Sequence, residues 1–426
     1  MHRRFAAAVI TACLALGACA GPGGADAEGG PVTLRMAWWG NDLRNRMTEE
    51  VIALFHEQHP DIRVELEPGE WSGYWDRLAT QAAGGDLPDV IAMDESQIAT
   101  YGNRGVLLDL ASQSANLDLS AMDANVLETG MVDGVLAGAP VGVGIYSVAV
   151  NPDVLAAAGV EMPDDTTWTW DDLREISAQV TQNSPEGTYG FDRLGLAAVE
   201  LGYFARQRGE EVFPREGETP VSVETALLYL DHVDRLEADG AVPSATVQNE
   251  DFAIPLDSSM FGTGQAAFHL LFHTQMQAFA NAAGTEMQLL RLPALEAGEP
   301  HMANKASMYW SIAARSDHPE EAATLVDFLL TDTDAARVLL VERGVSAIPA
   351  IQDEVEPLLD ANGQTSLQFA RAMQEEVITP PQVTPAGVGN YSSEYTRIMQ
   401  TYMYDQVDRQ TAAQQLVDLA RSVGNG

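Results

Sequence analysis

Residues 32–94 constrain the fold more than any other part of the chain. Val32-Thr33-Leu34-Arg35-Met36-Ala37 is a strand-like run that passes into Trp38-Trp39-Gly40-Asn41-Asp42. From Leu43 to His59, Met47, Val51, Leu54 and Phe55 recur at helical spacing. Ile62-Arg63-Val64-Glu65-Leu66 reads as a second strand, ending at Pro68-Gly69-Glu70-Trp71. A second helix is expected from Tyr74 to Ala83, with Ser72 as its N-cap. Gly84-Gly85-Asp86-Leu87-Pro88 then turns the chain into Asp89-Val90-Ile91-Ala92-Met93, which ends at Asp94. This βαβαβ order argues for parallel strands joined by right-handed crossovers. Three strand ends then share one edge, the edge at which open α/β sheets bind ligands.

That edge is rich in aromatic rings. Trp38, Trp39, Trp71 and Trp75 are four of the chain's 7 Trp. Side chains alternate along an extended chain, so Trp38 and Trp39 cannot both enter one core, and at least one of them is expected at the crevice. Two later runs, Gly138 to Asn151 and Lys305 to Ala314, are apolar and extended. Helical patterns begin after the first of them, so both are expected to cross between two lobes. They carry Tyr146 and Tyr309-Trp310. Flat rings near carboxylate and amide groups suit a polyhydroxylated ligand, with sugar C–H faces on the rings and hydroxyls on the polar groups.

The N-terminus reads as an export signal. His2-Arg3-Arg4 is basic, Phe5 to Leu16 is apolar and short, and Leu16-Gly17-Ala18-Cys19 resembles a lipobox. The resemblance implies cleavage after residue 18 and lipidation of Cys19, so that the membrane is met through a lipid anchor only. Residues 19–30 are Gly/Ala-rich and read as a flexible tether. Cys13 lies in the segment to be removed, which leaves no disulfide framework and no cysteine-based metal site. The net charge of −39 argues against nucleic acid as a partner. The chain contains one lysine, Lys305.

Enzyme signatures are scarce. G-x-S-x-G and H-E-x-x-H do not occur. His269 and His273 stand four apart, but without an intervening Glu and in a partly extended segment, so no metal or cofactor is expected. Gly262-Thr263-Gly264-Gln265 lacks the lysine of a phosphate loop and reads as a turn. Trp168 and Trp170 read as packing residues at a helix start capped by Thr169. With 62 acidic residues a glycosidase carboxylate pair is neither supported nor excluded by composition. A secreted carbohydrate-active enzyme and a surface sensor or adhesion lipoprotein therefore stay open as alternatives.

Trp38-Trp39-Gly40-Asn41, Gly73-Tyr74-Trp75-Asp76-Arg77-Leu78 and Gly84-Gly85-Asp86-Leu87-Pro88-Asp89-Val90-Ile91 together resemble the N-terminal lobe of extracellular solute-binding proteins of carbohydrate ABC importers. The likeness continues through Val150-Asn151-Pro152-Asp153, Thr169-Trp170-Asp171-Asp172-Leu173, Phe261 to Phe268, His318-Pro319-Glu320-Glu321-Ala322 and Arg343-Gly344-Val345. It implies an α/β, two-lobed periplasmic-binding-protein-like fold of type II, each lobe a mostly parallel sheet flanked by helices, joined by crossing hinge segments. Residues 31–143 and 312–368 would form the first lobe, and 144–311 and 369–426 the second. The resemblance implies binding without catalysis, by a monomer that closes on a mono- or oligosaccharide and delivers it to ABC permease subunits and their ATPase. By position, Trp38, Trp39, Asn41, Trp71, Trp75, Asp94 and Tyr146 would line one side. Phe272, His273, Gln275, Tyr309, Trp310 and Tyr391 would line the other side or the hinge, with Arg206 nearby. Many relatives carry Trp where Phe272 stands, which implies different stacking at that point.

Overall fold

The computed structural model describes residues 30–214, 217–299, 302–374, 376, 385, 388 and 391–423. The segment expected as an export signal, Cys19, the expected tether up to residue 29 and most of the Thr379–Gly389 stretch lie outside the described residues.

The opening strands form one sheet. Val32–Trp39 pairs in parallel with Ile62–Gly69, in a register running from Val32 opposite Ile62 to Trp39 opposite Gly69. On its other side it pairs in parallel with Val90–Met93. Tyr309–Ile312 returns antiparallel beside Val90–Met93, and Ala139–Pro140 pairs with it at the far edge. The helices Asp42–Gln58 and Trp71–Gly84 connect the three parallel strands. The second helix begins at Trp71, with Glu70 rather than Ser72 in the N-cap position. Alternation along Val32–Trp39 buries Leu34, Met36 and Trp38 completely. The indole of Trp38 donates to Asn45 Oδ1 at 3.0 Å.

A second sheet is built around Gly142–Val150. All nine residues of this strand are buried, as its continuous apolar sequence requires of a strand covered on both faces. It pairs antiparallel with Ala266–Phe272 and Gln288–Leu290 near its end, and with Asn304–Ala306 and Val345–Ser346 near its start. Tyr189–Phe191 adds in parallel to Ala266–Phe272. The two-lobed α/β organisation is thus the expected one, but strand directions are mixed. The expected mostly parallel arrangement describes three strands of the first sheet and not the second.

The chain passes between the sheets within two short gaps. Pro140 ends one sheet and Gly142 begins the other, while Ala306 and Tyr309 bracket the return. Ser307 N–H donates to Gly142 O at 2.8 Å, and Val141 N–H to Met308 O at 2.9 Å. A Cβ on Gly142 would lie 2.3 Å from Val345 O, and Gly344 has φ +109° with Ser307 Oγ 2.5 Å from where its Cβ would be. Only glycine permits this approach. A third passage ends at Val345–Ser346, which already pairs with the second sheet, and beyond it Ala361–Gln374 packs on Met276–Ala283 and Gln288–Leu290. The first two changes of sheet fall a few residues before the expected boundaries at 143 and 311, and the third falls well before the one at 368. Lys305 to Ala314, expected as one run, is two strands belonging to different sheets.

Candidate ligand-binding cleft

A cavity of about 240 Å³ lies where the two sheets face each other, lined among others by Glu95, Ser96, Tyr203, Arg206, Glu211, Phe213, Phe272, Lys305 and Tyr391. Glu95 and Ser96 open the helix Glu95–Gly102, directly after the Val90–Met93 strand. Asp94 caps that helix, accepting from Ser96 N–H at 3.0 Å and Ser96 O–H at 2.6 Å, which places Glu95 at the strand-end edge.

The facing wall rests on the helix Ala198–Arg206, which supplies Tyr203 and Arg206. Its Glu200 turns inward and accepts from Gly195 N–H at 2.6 Å and Tyr229 O–H at 3.0 Å. The Tyr229 hydroxyl also meets that of Tyr395 at 3.0 Å, tying this helix to Val223–Ala238 and Tyr391–Met403. Burial pushes the Glu200 carboxyl up to about 7, against the lowering effect of its two donors and of Arg193. Tyr203 stacks on Tyr146, rings 4.9 Å apart and 11° from parallel. Arg206 Nε is 3.0 Å from Glu211 Oε2. Phe213 meets Tyr391 edge-on at 4.9 Å, and the buried Tyr391 hydroxyl has no partner among the described residues.

Lys305 sits at the passage between the lobes. Its Nζ is 4.4 Å from the Phe272 ring centroid and 4.0 Å from Glu95 Oε2. The cavity thus sets two cations, Lys305 and Arg206, against two carboxylates, Glu95 and Glu211. Apolar walls with a few converging donors and acceptors are the general form of a small-molecule site.

Of the residues expected from sequence, Arg206, Phe272 and Tyr391 line this cavity. Tyr146 and Gln275 line an adjoining one of about 340 Å³ that shares Phe272 with it. Trp39, Trp71 and Trp75 form a cluster at the strand-end edge, with ring centroids 5.2 to 5.5 Å apart. Trp71 is 48% exposed there. These three lie at the expected edge but outside the cavity lining.

The structure corrects the remaining placements. Trp38 is core. Asn41 caps a helix, accepting from Arg44 N–H at 3.0 Å, and Asp94 caps another. Tyr309 is buried with its hydroxyl on Thr129 O at 2.8 Å. Trp310 is 1% exposed, with the Arg343 guanidinium 5.1 Å from its ring. His273 is buried and accepts from Ile145 N–H at 2.9 Å; burial lowers its imidazole to about 4. Each of these side chains satisfies a local structural demand that a linear sequence does not display. His269 is inside a strand, with Nδ1 2.6 Å from Asp192 Oδ2. Among the described residues no group of three or more His, Cys, Asp or Glu side chains could hold a metal ion. Sequence reasoning missed Glu95, Ser96, Tyr203, Glu211, Phe213 and Lys305. Only Lys305 carried a signal, as the single lysine.

Comparison with known proteins agrees with this architecture. The bacterial extracellular solute-binding protein family matches residues 40–336. An uncharacterized lipoprotein of Streptomyces antibioticus is 27% identical over 80% of this chain and 75% of its own length. The galactooligosaccharide-binding protein of Bacillus subtilis is 23% identical over 80% of this chain and 79% of its own. The structure of a periplasmic oligogalacturonide-binding protein from Yersinia enterocolitica with digalacturonic acid superposes with a TM-score of 0.78 at 22% identity, covering 92% of this chain and 100% of that one.

Proposed function

This chain belongs to the bacterial extracellular solute-binding protein family, and from that premise we propose that it captures a mono- or oligosaccharide outside the cytoplasm and hands it to an ABC permease. The observation that carries the reading is the cleft itself. Aromatic rings (Tyr203, Phe272, Phe213 and Tyr391) stand beside paired donors and acceptors (Lys305, Arg206, Glu95 and Glu211) drawn from both lobes. Rings receive the C–H faces of a sugar, and the polar groups receive its hydroxyls. A ligand touching both lobes binds the closed arrangement better than the open one and so shifts the population toward closure. The sugar-binding relative from Bacillus subtilis supports the ligand class.

The N-terminal Leu16-Gly17-Ala18-Cys19 and the lipoprotein relative support a lipid-anchored, extracytoplasmic location. Cys19→Ala should release the protein from the membrane fraction; continued tight membrane association would count against the anchor. The ligand class is tested by thermal shift against panels of sugars, peptides and divalent cations, since whatever binds the folded state raises its melting temperature. A sugar should raise it. A peptide or a cation that raises it while every sugar leaves it unchanged would remove the reading.

A further inference from the structure

The chain's only lysine lies at the lobe junction and lines the cleft. In a chain with a formal charge of −39, every other side-chain cation except histidine is an arginine. Lys305 belongs to Asn304–Ala306 and stands opposite Gly144 on the central strand of the second sheet. A Cβ on Gly144 would lie in ordinary contact with both, 3.7 Å from Lys305 Cγ and 3.6 Å from Phe272 Cδ1, so the two side chains flank this position together. The ammonium is held above the Phe272 ring at 4.4 Å and faces Glu95, which comes from the other lobe, at 4.0 Å. That separation is an ion pair rather than a hydrogen bond. Among the described residues the Lys305 ammonium donates no hydrogen bond, although it carries three donors.

We propose that Lys305 and Glu95 together are the specificity-determining pair of the cleft and read a vicinal diol of an uncharged sugar. This rests on the sugar-binding reading above and names the ligand chemistry. One hydroxyl oxygen accepts from the ammonium while its neighbour donates to the carboxylate. The diol thereby bridges the two lobes at their junction. Lysine suits this better than arginine because its donors rotate on a flexible stem, whereas a guanidinium fork is matched to carboxylate and phosphate. Charge argues for a neutral ligand. Lys305 is balanced by Glu95 and Arg206 by Glu211, so a ligand carboxylate would enter as an extra anion beside two others, within a strongly negative molecule.

A single lysine makes the test direct. The purified full chain is treated with an amine-acylating ester, and acylation of Lys305 is followed by peptide mass with and without saturating lactose, maltose, cellobiose or digalacturonate. The neutral sugar that raises the melting temperature should slow acylation of Lys305 at least about fivefold. Calorimetry on Lys305→Met should show at least about tenfold weaker binding of that sugar, the loss expected for a hydrogen bond from a charged donor. Glu95→Gln should weaken it in the same sense. A sugar that binds wild type while Lys305 acylates at an unchanged rate and Lys305→Met binds equally well would overturn the pair's role and leave the sugar-binding reading standing. Protection by digalacturonate alone would overturn the neutral-diol assignment. If no sugar of the thermal-shift panel binds, the broader reading falls, and the pair's role with it. The acylation arm uses wild-type protein, so it decides the matter even if the variants fold poorly.

Discussion

Trp310 is fully enclosed beneath a buried arginine, and that decides what its removal does. Burial lowers the Arg343 guanidinium to about 9, and Arg44 close by adds to the lowering. Arg343 donates to Thr48 Oγ1 at 2.7 Å and lies over the indole of Trp310. Trp310→Ala should therefore cost about 3–5 kcal/mol of folding stability, the range for deleting a buried large aromatic. Urea unfolding measures this. Unchanged stability with selectively lost ligand binding would show instead that the ring faces the ligand. The pair Trp38-Trp39 illustrates what single residues reveal in sequence. Alternation says that one enters the core and the other does not, and Trp38 proves to be the buried one. Alternation says nothing about whether an outward ring meets ligand or its neighbours, and Trp39 meets Trp71 and Trp75. The resemblance places Asn41 and Asp94 among the ligand groups by position, but polar residues at strand ends serve either purpose. Helix capping claimed both, since the first N–H groups of a helix need acceptors.

At the scale of elements, the helix Ala198–Arg206 carries a titrating buried acid beneath the cleft wall. The folded-state carboxyl of Glu200 is raised by burial from 4.5 to about 7. Between these values the folded protein holds a proton that the unfolded chain has lost, so stability falls as pH rises through that window. At 1.36 kcal/mol per unit the loss is on the order of 3 kcal/mol. Glu200→Gln should flatten the stability profile between pH 4.5 and 7; an identical slope in the variant would contradict this. Helices with strong apolar spacing were legible: Asp42–Gln58 lies within one residue at each end of the Leu43 to His59 span that its periodicity predicts. Ala361–Gln374 was not recognised, because its first turn is polar and its apolar positions become meaningful only against the second sheet. Lys305 to Ala314 looked like one strand because apolar periodicity carries no mark of a change of sheet.

For the whole molecule, three chain passages join the lobes, and two glycines, Gly142 and Gly344, allow those passages to touch. Gly344→Ala would force a side chain into a φ of +109° and into contact with Ser307 Oγ. That substitution should lower the melting temperature and change the equilibrium between open and closed lobes, as small-angle scattering with and without ligand would show. Scattering of wild type should give a smaller radius of gyration on adding the bound sugar, and an unchanged radius would contradict hinge closure. The first sheet was legible in sequence because a βαβαβ unit dictates its own topology, whereas the two-lobed fold was what the family resemblance implied. The cleft was legible only in part, since Glu95, Tyr203 and Lys305 are brought together from three distant segments. The most direct test of the central claim is a calorimetric titration of the purified chain with uncharged mono- and oligosaccharides. The account predicts saturable binding at one site per chain, weakened by Tyr203→Ala and by Lys305→Met, with the sugar recovered unaltered. Absence of saturable heat with every sugar, or release of a hydrolysed product, would contradict it.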